Sequence, residues 1–429
     1  MSSDLQNLEP STEPNAIAHG DTAAFHSADR VEGAGLDRLQ ALAGISASTR
    51  TQVDRLLALA RAGLPRMYRD GSFGHTLRAV RTKSGWGERL EGDSLRYMSM
   101  VALGLACTDE ATQRQILEGG TAVDLARHAA VRAETSTDVG AFALAAWAAA
   151  EAGRLYAATL FRQLRDRLAA QTPIPTVQCA WALIAGLAGR AYGDTSAVID
   201  LARGRLVAGL SGSGLFPHML PESANGRMRS HIACFADQTY PIQAFSRLHA
   251  ASGDAVDLSI AEACADRICK LQGPDGQWWW HYDTRDGRVA EGYPVYSVHQ
   301  HAMGPMALLE LREAGGRDYF RPIMKGLRWL ELHPEVVATL VTPEKGVIWR
   351  KVARREPNKA VRAVAAFTTA LSPGLRVPAL DMLFPPSRVD YECRPYELGW
   401  LLYAWLSGGM VAGLATGNPA GHASFSEEA

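Results

Sequence analysis

One arrangement recurs along this chain and limits what it can become. A turn opened by glycine and carrying a large apolar side chain is followed, after a polar loop, by a helix whose first turns hold Tyr, Gln, His, Asp or Glu. The copies are Gly71-Ser72-Phe73 ahead of Asp93 to Tyr97, Gly214-Leu215-Phe216 ahead of Asp237 to Gln243, Gly276-Gln277-Trp278 ahead of Tyr296 to His301, and Gly346-Val347-Ile348-Trp349 ahead of Tyr391 to Glu397. The first three copies share a similar spacing, and the fourth loop is about twice as long. A unit of this kind cannot bury its apolar face alone, so it must pack on its neighbours.

Between the turns the periodicity is helical. Ser48, Asp93, Thr137, Thr176 and Asp257 stand where capping side chains open helices. Roughly a dozen helices are expected between residues 37 and 412, many rich in Ala and Gly, which permits close approach of one helix to another. Strand signals are short and local, at Gly214-Leu215-Phe216, Gly276 to Tyr282 and Gly346 to Val352. No Pro/Ser-rich linker interrupts this span, so a single domain over 34–412 is expected, between a polar leader at 1–33 and a flexible tail at 413–429. With 47% hydrophobic residues in 429, the chain can bury a large core. A net charge of −1 offers no footprint for nucleic acid. No apolar run reaches the roughly 20 residues of a membrane span, and the amino terminus lacks the order of a signal peptide, so a soluble cytoplasmic protein is expected. The six cysteines are scattered, with no CxxC pair, and read as buried free thiols.

Helical hairpins joined by Gly-aromatic turns resemble an α/α toroid, a ring of inner helices sheathed by outer ones. The stretch Cys264 to Trp278 is also similar to the Gln-Trp repeat of terpenoid cyclases and prenyltransferase β-subunits, with Gln272 and Trp278 in the two defining places. That resemblance implies an all-α toroid with short β-hairpins at one end. The chemistry of those relatives does not carry over: there is no DxDD, no DDxxD, and no convincing Asp, Cys and His set for zinc. The chain is more similar to the six-hairpin toroids of glycoside hydrolases, polysaccharide lyases and sugar epimerases. Those share inner-helix ends and loops bearing Trp, Tyr, His, Asp and Glu around a cleft.

The densest chemistry lies between Gly276 and His301, with Trp278, Trp279 and Trp280 in succession. On extended backbone Trp278 and Trp280 share one face and Trp279 takes the other, so one face packs and the other lines a cavity. His299 and His301 precede a helix and suit proton transfer at neutral pH, or else brace the helix start. Nothing supplies a third zinc ligand to that pair at ordinary spacing, so neither metal nor cofactor is expected. Asp237 sits at the equivalent helix start, either as a cap or as a functional acid, in the company of Gln238, Tyr240 and Gln243. Glu397 stands near Arg394 and Tyr396 in the last copy. If the inner helices converge, Asp237, His299, His301 and Glu397 surround the reacting group. Gln238 and Arg394 then bind substrate, and Trp278, Trp280, Tyr240 and Tyr282 form a stacking wall, with inter-hairpin packing as the competing role. The run Arg350 to Lys359 reads as a solvated face rather than an acidic-ligand patch.

The expected function is carbohydrate-active: hydrolysis, elimination or epimerisation of a glycan or uronic-acid polysaccharide. Two alternatives stand beside it, an isoprenoid-cyclising enzyme and a non-catalytic toroid that binds a glycan or a protein. The expected partner is a small molecule or oligosaccharide, and the oligomeric state is left open.

Overall fold

A computed structural model describes residues 37–83 and 85–415. Six helices form a closed inner ring: Leu95–Leu105, Val139–Glu151, Thr176–Gly189, Ala236–Ser252, Gly304–Glu313 and Pro395–Leu406. Each packs on the next, and the last packs back on the first. The helices Ala47–Gly63, Ala122–Ala133, Ala158–Ala169, Ser196–Gly209, Ala255–Lys270 and Phe320–Leu332 sheathe this ring. The chain alternates outer and inner, which is the α/α toroid.

Burial follows from that layering. Val139–Glu151 is buried continuously from Gly140 to Ala150, because an inner helix has protein on every side. Phe320–Leu332 buries only Phe320, Ile323, Gly326, Leu327, Trp329 and Leu330, one stripe at helical spacing. The ring closes where Gly104 and Gly399 meet: a Cβ on Gly104 would lie 2.2 Å from the Gly399 carbonyl oxygen.

The recurring turns close the outer layer. Gly71, Gly214, Gly276 and Gly346 all have positive φ, from 61° to 109°. Each lies in a connection from an outer helix to an inner one, and each docks on the outer helix of the next hairpin. A Cβ at these positions would face His128, Ala263, Lys325 and Gly63 respectively. The fourth turn thus returns to the first outer helix and completes the circle. Gln272 and Trp278 make the tie expected of them. The Gln272 amide donates to the carbonyls of Gly276 at 3.0 Å and Pro322 at 2.9 Å, and the Trp278 ring fills the space between Gly304 and Gly326.

The strands are short, and the long outer-to-inner connections hold all but Ile174–Pro175 among those described. Ile232–Cys234 pairs antiparallel with His281–Asp283, placing Cys234 opposite His281. Thr76–Thr82 pairs with Gly85–Glu91 and with Glu392–Cys393. Two expected strand segments, Gly214-Leu215-Phe216 and Gly276 to Trp280, are irregular instead. Side chains take the place of a neighbouring strand there. Gln238 accepts from the Phe216 N–H at 2.8 Å and donates to its carbonyl at 2.9 Å, while Gln300 accepts from the Trp278 N–H at 3.3 Å.

The far end of the ring is plugged by buried ions. Arg247 bonds Glu310 at 2.7 Å and Glu151 at 2.8 Å, and Gln243 donates to Glu310 at 2.9 Å. The six cysteines are free thiols. No described helix is long and apolar enough to cross a membrane. The leader at 1–33 lies outside the described residues. The expected flexible tail begins inside a short helix, Met410–Ala415, and its remainder lies outside them too.

Candidate active site

The first turns of the inner helices meet at one end of the ring, beneath the hairpins. Arg96 pairs with Asp138, Tyr97 accepts from Arg394 at 2.8 Å, and the Tyr97 and Tyr396 rings lie 4.6 Å apart. Phe235 lies 4.5 Å from His299, and the Arg96 guanidinium sits over Trp181 at 5.7 Å. Deeper in the ring, Tyr240 accepts from the Trp400 indole at 2.9 Å and meets Trp181 edge-on at 5.1 Å, forming an aromatic floor.

One wall of this mouth is cationic. Arg350, whose side chain is 14% exposed, lies 3.6 Å from both Glu392 and Glu397 and covers the Tyr296 ring at 4.9 Å. Arg394 lies 3.3 Å from Glu392, and Arg78 reaches the same carboxylate at 2.6 Å. The Nε atoms of Arg350 and Arg394 are buried and lack hydrogen-bond partners. Glu397 is fully buried. Its Oε2 accepts from the Arg394 backbone N–H at 3.4 Å, while Oε1 accepts no hydrogen bond. Burial pushes its carboxyl up to about 7, against the opposing pull of Arg350 and Arg394. A carboxyl held there can donate a proton at neutral pH.

A second wall, on the helix Ala236–Ser252 two places round the ring from Pro395–Leu406, carries Asp237. Its carboxylate accepts from the Cys234 N–H at 2.7 Å and lies 3.0 Å from His218 Nδ1. That pairing raises the His218 imidazole above its ordinary value. Cys234, His218 and Asp237 each offer a ligand atom, and these atoms lie within 4.8 Å of one another. They are the residues here that could hold a metal ion.

Between the walls lies a stack of rings. Trp280 is parallel to His299 at 5.9 Å and lies 4.7 Å from Tyr296, and Phe235 separates His299 from Trp278. The alternation expected of the three tryptophans therefore holds. Trp279 faces away and lines a separate cleft of about 460 Å³ with Glu291, Tyr293 and Arg354.

Several expected roles change with burial. Trp278 and Tyr282 are fully enclosed, and Tyr240 is 2% exposed, so of the expected stacking wall only Trp280 is partly open to the mouth. Gln238 is occupied in clamping Phe216. His299 and His301 sit in a π-helical turn, His299–Met303. His299 belongs to the ring stack, whereas both ring nitrogens of His301 are buried without partners. Burial pushes both imidazoles down to about 3, so neither exchanges protons near neutral pH. Arg394 and Glu397 share one wall, and Asp237 stands on the other.

The run from Arg350 is a solvated face only in its second half, where Arg355 and Pro357 to Lys359 are exposed. Arg350 points into the mouth, Lys351 bonds Asp390 at 2.7 Å, and Arg354 is buried on Glu291 at 2.9 Å. Sequence reasoning also passed over Tyr97, His218, Tyr296 and Glu392. The available signal was position: Tyr97 and Tyr296 belong to the recurring helix starts, and His218 lies two residues past Phe216 in a recurring turn.

No protein-family model matches the sequence, and no curated protein matches it. Among solved structures, the chain is similar to an unsaturated glucuronyl hydrolase specific for heparin, with TM-score 0.51 and 12% identity over 84% of this chain and 96% of that one. It is also similar to a possible member of the GH105 family from Klebsiella pneumoniae, with TM-score 0.50 and 11% identity over 83% of this chain and 92% of that one. These likenesses show the fold, an α/α toroid.

Proposed function

We propose that this chain is a carbohydrate-active enzyme that cleaves an acidic, uronate-bearing glycan at the mouth of the toroid. The observation that carries this reading is the setting of Glu397: a buried carboxyl poised near neutrality, flanked by Arg350 and Arg394, whose Nε atoms make no hydrogen bond. In this reading the two guanidinium groups bind the sugar carboxylate, the planar acceptor their fork geometry suits. Trp280, partly open, stacks on a ring of the substrate. Protonated Glu397 gives its proton to the departing glycosidic oxygen as general acid, while a water molecule attacks the anomeric carbon and releases its proton to solvent. The Glu397 Oε1 lies 3.6 Å from the Arg350 Nε. Glu392, in contact with Arg78, Arg350 and Arg394, fixes the two substrate-binding guanidinium groups in place. The structural likeness to a glucuronyl hydrolase agrees with this reading at the level of fold.

A thermal-shift comparison tests it. A ligand that binds only the native state raises the melting temperature. Uronic-acid oligosaccharides should stabilise the protein where their neutral counterparts do not, and Arg350→Ala should remove that difference. Glu397→Gln should keep the stabilisation and lose turnover. Equal response to acidic and neutral sugars, or stabilisation by prenyl diphosphate with magnesium alone, would refute the proposal.

A further inference from the structure

We infer that His218, Cys234 and Asp237 form a binding site for a divalent cation of the zinc class, on a wall of the mouth separate from that of Glu397. Three elements bring them together. His218 follows the Gly214 turn, Cys234 ends the strand Ile232–Cys234, and Asp237 lies in the first turn of Ala236–Ser252. Their spacing suits a tetrahedral ion. Metal bonds of ~2.0–2.3 Å put neighbouring ligand atoms ~3.3–3.8 Å apart. His218 Nδ1 and Asp237 Oδ2 are already 3.0 Å apart, and all three ligand atoms fall within 4.8 Å. Ordinary side-chain adjustment closes the remainder.

The donor set selects the ion. One imidazole, one thiolate and one carboxylate suit zinc and its borderline neighbours, whereas magnesium and calcium require oxygen cages. Three protein ligands leave a fourth position free, and the His218 side chain is 44% exposed, so that position is reachable from the mouth. An oxygen donor, either water or a hydroxyl or carboxylate of a ligand, would occupy it.

A second observation points to the same place. His281 is the cross-strand partner of Cys234, so its side chain leaves the sheet on the same face. It is buried, stacks on Trp280 at 5.3 Å and has no hydrogen-bond partner among the described residues. An imidazole without a partner beside a thiol, a carboxylate and a second imidazole is placed to hold a metal-bound water or to close the fourth position.

Cobalt(II) titration of the full-length, chelator-treated and reduced protein reads the site directly. A thiolate-to-cobalt charge-transfer band should grow to one equivalent and vanish on adding zinc. Cys234→Ala should abolish the band, and Cys393→Ala, which removes a buried thiol in another strand, should leave it intact. His218→Ala, at a half-exposed position, and Asp237→Asn, which keeps an acceptor for the Cys234 N–H, should each weaken cobalt binding at least tenfold while circular dichroism shows the fold unchanged. The inference is overturned if the wild-type protein takes up no stoichiometric cobalt or zinc, or if the band survives in Cys234→Ala. Because the readout is spectroscopic, it stands apart from the fate of the glycan proposal.

Discussion

Replacing Glu397 by Gln separates its charge from its shape. Burial raises its carboxyl from an ordinary 4.5 to about 7 in the folded protein. Between those values the native state holds a proton that the unfolded chain has released. Stability is therefore full below pH 4.5 and declines as pH rises toward 7, the opposite direction from a salt-bridged acid. The gap between those two values corresponds to a ceiling of ~3 kcal/mol. Glutamine matches the neutral carboxyl and cannot ionise, so the variant escapes the decline. At ~2.1 cal/mol/K per residue over the roughly 380 described residues, the unfolding entropy is ~0.8 kcal/mol/K, and ~3 kcal/mol appears as ~4 °C.

The assay is a pair of melting curves from pH 4 to 8.5 at constant ionic strength. The buried histidines bend both curves on the acid side in the same way, so the difference isolates Glu397. That difference should be flat below about pH 4.5 and climb to ~4 °C in favour of Glu397→Gln by pH 7.5. A difference that stays flat across the range would refute the raised carboxyl. With it would go the general acid of the proposed reaction.

Two further substitutions address the frame. Gly276→Ala combines a φ of 109° with a Cβ that would lie 2.0 Å from the Lys325 carbonyl oxygen, and should cost ~3 kcal/mol or more, read as a melting temperature ~4 °C lower. Gly212→Ala, with nothing within 4 Å of its new carbon, is the control and should change stability by no more than ~0.5 kcal/mol. His301→Leu tests the acid side: the native imidazole is held down at about 3, so stability is lost as pH falls below the unfolded value near 6.5. At pH 5.5 this amounts to ~1.4 kcal/mol, and the variant should lose ~2 °C less than wild type between pH 7.5 and 5.5. Parallel acid limbs would show that His301 is not the group responsible.

The fold was legible because its constraints are local in sequence. Gly71, Gly214, Gly276 and Gly346 adopt backbone angles that glycine tolerates best, and three residues of chain carry the whole signal. Gln272 and Trp278 lie six apart and make their tie within that window and the next outer helix. What stayed hidden were the partners. The backbone of Phe216 is satisfied by Gln238, and that of Trp278 by Gln300, each 22 residues away. Without those side chains in view, an aromatic turn with alternating residues reads as a strand.

The site was half legible, and depth explains which half. Sequence identified the helix starts that meet at the mouth, and Asp237, His299 and Glu397 all lie on them. A helix start does not tell how much protein lies above it. Phe235 and Trp280 cover His299, and the rings that made the segment look catalytic are what hold its imidazole neutral. The reverse error befell Arg350. In a charge-rich run its natural reading is solvent, because its partners Glu392 and Glu397 lie more than 40 residues onward and arrive only when the last inner helix closes the ring. The same closure buries Glu397 and gives it a proton at neutral pH. Ring closure therefore makes the candidate acid, and no window of sequence shorter than the last hairpin contains it.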